Sequence, residues 1–91
     1  MRLQPANVAA WNSRCWTRAV IGQLQAALSD CNEALRLRPD FANALDRRGF
    51  VHLQSGRYDH AIADYDAALR AQEAGRRRRQ RRHRGGAGAQ A

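Results

Sequence analysis

Residues 42–70, ANALDRRGFVHLQSGRYDHAIADYDAALR, read as two short helices folded back on each other at Ser55-Gly56-Arg57. Small residues stand at Gly49, Ala61 and Ala68, with an aromatic, Tyr65, between the last two. Moved back by 34 residues, the stretch lands on its own pattern: Ala44 on Ala10, Arg48 on Arg14, Gly56 on Gly22 and Ala61 on Ala27. The run Asp64, Ala68, Leu69, Arg70 likewise falls on Asp30, Ala34, Leu35, Arg36, and Leu37 and Pro39 fall on Leu3 and Pro5. Spacing, residue size and turn chemistry therefore agree on one helix–turn–helix unit that recurs.

Outward from that unit, the chain parses into four helices. Val8 to about Val20 is the first, with Asn7 as its cap. Ile21-Gly22-Gln23 turns the chain, and Leu24 to Leu37 follows with Leu24, Ala27, Leu28, Cys31, Ala34 and Leu35 at helical spacing. Pro39-Asp40 breaks that helix, and Asp40 is placed to cap the third, which runs to Gln54. Tyr58 to about Ala74 is the fourth. Connections this short force neighbouring helices antiparallel.

A helix–turn–helix period of 34 is that of the tetratricopeptide repeat. Residues 8–41 and 42–75 resemble two such repeats of the kind found in bacterial arrays, and 1–7 resembles the end of a preceding one. The family's bulky fourth position holds Trp11 and Leu45; its small eighth holds Cys15 and Gly49. The small twentieth and twenty-seventh positions hold Ala27, Ala61, Ala34 and Ala68. Tyr65 obeys the aromatic preference of the twenty-fourth position and Cys31 departs from it; at the thirty-second, Pro39 obeys and Glu73 departs. The resemblance implies an all-α solenoid fragment that acts as a protein-interaction scaffold, holding a peptide or partner segment in a concave groove.

By the same resemblance the groove is lined from the first helix of each repeat. That assigns Ala9, Asn12, Ser13, Trp16, Ala19 and Val20, then Asn43, Asp46, Arg47, Phe50, Leu53 and Gln54. Trp16 and Phe50 stack one repeat apart, either as anchors for an extended or helical peptide or as packing against neighbouring helices. The variant that grips a C-terminal carboxylate finds only Arg47 in place, which disfavours chaperone-tail binding.

One departure is shared by both units. The seventh position, usually leucine, is Arg14 and Arg48; the twenty-third is Asp30 and Asp64. A buried unpaired guanidinium is costly, so these residues are expected to pair within each unit, or as Arg48–Asp30 between units.

Charge divides the chain. All 16 basic residues are arginine, and seven of them, Arg76, Arg77, Arg78, Arg79, Arg81, Arg82 and Arg84, lie in the segment 76–91. Residues 1–75 carry nine arginines against eight acids and are nearly neutral. The basic segment is expected to be disordered or a frayed continuation of the last helix, for want of an apolar face. It offers a nucleic-acid or anionic-surface reading as the alternative function. Its composition also fits an out-of-frame end on a truncated array with no independent role.

No run of apolar residues approaches the ~18 of a membrane span, and no signal peptide is visible, so the cytoplasm is the expected compartment. Cys15 and Cys31 fall on facing helices, where they are expected as small buried thiols in the reduced state. His52, His60 and His83 share no zinc-like spacing with them, and no metal, cofactor or catalytic motif is implied. Tyr58, Ile62 and Leu69 remain uncovered at the end of the last pair, which favours a homodimer or the docking of further repeats.

Overall fold

The computed structural model describes residues 7–90, with side chains as far as Gln80. Four helices follow in order: α1 Val8–Val20, α2 Leu24–Leu37, α3 Ala42–Gln54 and α4 Tyr58–Gln90. No strand occurs among the described residues. The Leu3 and Pro5 match lies outside them.

Local chemistry sets the boundaries. The Asn7 side chain accepts a hydrogen bond from the Ala10 N–H at 3.0 Å and caps α1. Gly22 and Gly56 close the two tight turns with φ of +89° and +79°, a region that costs other residues a steric penalty. Asp40 does not cap α3. Phe41 stands at the cap position with no side-chain bond, and the Asp40 carboxylate lies 3.7 Å from Arg38 instead.

The helices pair in sequence, α1 with α2 and α3 with α4, and α3 packs on both members of the first pair. Two buried clusters hold them. One joins Cys15, Ala19, Ala27, Cys31 and Val51, flanked by Leu24, Leu28 and Phe50. The other joins Ala34, Leu35, Ala44, Leu45 and Ala68, flanked by Val8, Trp11 and Phe41 among others. Alanines at the contact let helix axes approach closely, while Leu, Val and aromatic side chains fill the space beside them.

Between α3 and α4 the Tyr65 ring lies flat against Gly49, where an added Cβ would stand 3.1 Å from the ring. Between α1 and α2 the same two repeat positions are Cys15 and Cys31, and they form a disulfide with Cα atoms 5.3 Å apart. Free thiols were the expectation; the bond corrects it. Facing positions on an antiparallel pair lie within the Cα range a disulfide spans; Cys31 lacks the bulk of the tyrosine at its position, and Cys15 carries the side chain that Gly49 lacks. A covalent bridge occupies the gap instead.

Of the two readings of the basic segment, disorder and a continuation of the last helix, the structure takes the second: α4 continues through it to Gln90. Arginine is a good helix former, and no proline interrupts the chain after Pro39, so the hydrogen-bond ladder begun at Tyr58 continues. Absence of an apolar face decides exposure rather than helicity here: Arg76 to Gln80 are all exposed.

Candidate functional site

The residues assigned to the groove come from α1 and α3, which lie side by side. The Trp16 and Phe50 rings meet at 5.3 Å between centroids, tilted by 57°. Phe50 is half-buried against the first core cluster, whereas Trp16 keeps 37% of its surface exposed. The Arg47 guanidinium sits over the Trp16 ring at 4.2 Å from its centroid. Phe50 thus packs against the core, and Trp16 rests on it with part of its ring open to solvent.

Ser13, Val20, Asn43, Asp46, Leu53 and Gln54 are exposed, as is Ala9. Asn12 and Arg47 are half-buried, and two of their polar atoms, Asn12 Oδ1 and Arg47 Nε, are shielded from solvent without a hydrogen-bond partner. Arg47 also approaches the Asp46 carboxylate at 3.8 Å. Ala19 falls outside this surface: it follows Cys15 by four residues on the same helix face and is buried with it in the first core cluster.

Behind the groove stands the polar lattice expected from the repeated Arg and Asp. Arg14 donates two bonds to the Asp30 carboxylate, each 2.8 Å, and Arg48 donates two of the same length to Asp64. Pairing is within each helix pair. Arg48 reaches across to the preceding pair as well, but to Asn32 at 3.0 Å rather than to Asp30. Asp30 and Asp64 are almost fully buried, and Asp66, two residues on, is exposed and bonded to Arg70 at 2.9 Å.

Sequence reasoning missed the third member of each cluster. Arg18 donates to Asp30 at 3.0 Å, and His52, in the corresponding place, lies with Nε2 3.6 Å from Asp64. The signal was available: Arg18 and His52 follow Arg14 and Arg48 by four residues, so they share a helix face.

Burial pushes the His52 pKa below its ordinary value; Asp64 opposes this, while His60, Arg48 and Arg57 reinforce it. The unfolded chain takes up the proton near the ordinary pKa of about 6.5, before the folded chain does. Stability from this group is therefore present above that pH and lost as pH falls through the folded value. The urea midpoint should drop between pH 7.5 and 5.5, and His52→Gln should reduce the drop. Equal slopes in the two proteins would show that His52 does not control it.

The comparisons bear on the whole arrangement. The family profile described as Tetratricopeptide repeat matches residues 42–74, the α3–α4 pair and its Gly49–Tyr65 contact. Similar curated proteins match over about three quarters of the chain. Protein FlbA of Caulobacter vibrioides is 35% identical over 66 residues, covering 72% of this chain and 11% of the relative. The chain carries the tetratricopeptide repeat. Small glutamine-rich tetratricopeptide repeat-containing protein 2 of Mycosarcoma maydis is 31% identical over 69 residues, 76% of this chain and 20% of the relative. Hsp70-Hsp90 organizing protein of Triticum aestivum is 34% identical over 67 residues, 74% of this chain and 12% of the relative. This tetratricopeptide-repeat chain thus spans at most a fifth of the length of these three. Among the described residues, no helix is long and apolar enough to cross a membrane.

Proposed function

We propose that the chain is a protein-interaction module that takes a peptide segment of its partner along the α1–α3 face, with Trp16 as the anchor. The observation that carries this reading is the state of Trp16. It is held from below by Phe50 and from the side by Arg47, stays open on its outer surface, and has two unsatisfied polar atoms nearby. Asn12 and Arg47 are half-buried, and the guanidinium over the Trp16 ring has further N–H groups to offer a peptide carbonyl. Ser13, Asn43 and Gln54 add further exposed polar groups on the same helices, and Val20 and Leu53 extend the apolar strip.

The likeness to an Hsp70-Hsp90 organizing protein does not carry that partner over. The two positions that hold a C-terminal carboxylate in that variant are here Asn12 and Trp16 in one repeat, Asp46 and Phe50 in the other. A carboxylate would meet Asp46 instead of a cation. An internal segment with an aromatic or aliphatic side chain suits this surface better.

The test is a peptide selection from a random displayed library on the intact chain, followed by titration of the selected peptides. Trp16→Ala should weaken binding by at least about tenfold, as truncation of a central aromatic anchor does, with helicity unchanged. Peptides that bind Trp16→Ala as tightly as the parent would remove the groove from consideration. Sedimentation of the same samples reads self-association. Tyr58, Ile62 and Leu69 on α4 are 62–66% exposed, whereas Leu24, Leu28 and Leu35, 34 residues earlier, are covered. A homodimer through that face would dissociate in Ile62→Glu; a chain that is monomeric at high concentration excludes it.

A further inference from the structure

We infer that the C-terminal part of α4 is a binding element for double-stranded DNA, independent of the groove and read through phosphates rather than bases. The argument begins with placement. Successive residues of a helix are 100° apart, so Arg76, Arg77, Arg78 and Arg79 surround the helix completely, and all four are exposed. Glu73, one turn before Arg76 and Arg77, is the last acidic residue in the sequence, so one carboxylate stands beside the cluster and none follows it. Seven arginines fall within 76–84, while the preceding 75 residues are nearly neutral.

A helix charged on every side has no face to bury in a protein core and none to lay into a bilayer interface, where an apolar side is required. What it fits is a channel with negative charge on both walls. The major groove of B-form DNA is about 12 Å wide and admits a helix with a diameter of about 10–12 Å. The A-form RNA duplex has a deep, narrow major groove that excludes such an element. Arginine strengthens the reading, because its planar fork makes paired hydrogen bonds to phosphate. The helical backbone, continuous from the packed part of α4, presents Arg76 to Arg79 along about 6 Å without a further ordering cost.

Phosphate contacts release counterions, so log Kobs should fall with log salt by about 0.9 per contact on B-DNA. The experiment uses the full chain and a fluorescein-labelled 20-base-pair DNA duplex, titrated by anisotropy between 50 and 200 mM NaCl. Binding is expected at 50 mM salt with a slope of about −4 to −6, corresponding to five to seven contacts. The variant with Arg76, Arg77, Arg78 and Arg79 all replaced by glutamine removes four cations while keeping good helix formers. Its slope should fall in magnitude by about 3–4, with a large loss of affinity. Circular dichroism checks that helicity survives. No DNA binding at 50 mM salt, or an unchanged slope in the variant, overturns the inference. So does tighter binding to an RNA duplex of the same sequence or to phosphatidylserine vesicles than to DNA.

Discussion

Removing the Cys15–Cys31 bond should cost the chain about 3 kcal/mol, the loop-entropy figure for a closed loop of about 15 residues. The two cysteines are 16 apart in sequence, and both are fully buried between α1 and α2. For a domain of this size such a loss lowers the melting temperature by more than about 10 °C. It is also a large fraction of the total stability available to a small domain. The measurement is urea denaturation of the parent protein with and without reductant, beside Cys15→Ala/Cys31→Ala. The second repeat supplies a sharper test, since it solves the same packing problem with Gly49 and Tyr65. Cys15→Gly/Cys31→Tyr should recover much of the stability lost in the double alanine variant, and it should be indifferent to reductant. If reductant leaves the parent's midpoint where it was, the bridge contributes nothing and the two positions are held by packing alone.

That equivalence shows what could be read from the sequence. Helix boundaries were legible because glycine at positive φ, proline and a capping asparagine are local signals that need no tertiary context. The Arg–Asp pairs were legible for a different reason: a repeated violation of an apolar position has to be resolved by a repeated partner, and the antiparallel pair brings those residues to one height. The disulfide was not legible, because Cys15 suits a small position and Cys31, though it departs from the aromatic preference of its own, reads as one more small buried residue. Only the distance across the pair distinguishes two thiols from one bond. The state of the arginine segment was left between disorder and a continued helix, because the lack of an apolar face decides exposure and not helicity. As for the aromatic pair, the sequence placed Trp16 and Phe50 on neighbouring helices, but the split between a half-buried Phe50 and a more open Trp16 depends on how α3 leans on α1. No spacing reports that.

The largest single-residue effects should come from the two buried aspartates, and they should differ from each other. Asp30 neutralises two guanidiniums, Arg14 and Arg18, whereas Asp64 faces one, Arg48, and a histidine whose charged form burial disfavours. Removing one partner of a buried pair costs about 3–5 kcal/mol when the survivor has no access to water. The arginines here keep about a third of their side-chain surface, so part of that penalty is relieved by hydration. Asp64→Leu is therefore expected to cost about 2 kcal/mol, more than an exposed pair's ~1 kcal/mol, and Asp30→Leu distinctly more than Asp64→Leu. Replacing both partners takes the stranded charge away. Arg48→Met/Asp64→Leu should be less damaging than the sum of its single changes, with a coupling energy of about 1–3 kcal/mol. Arg48→Met alone leaves a buried carboxylate with only His52 beside it, which should raise the histidine's pKa and reverse the pH dependence of stability between pH 5.5 and 7.5. A coupling energy near zero, or equal losses for the two aspartates, would mean that the carboxylates are solvated in the folded chain. The lattice behind the groove would then be a set of independent surface charges.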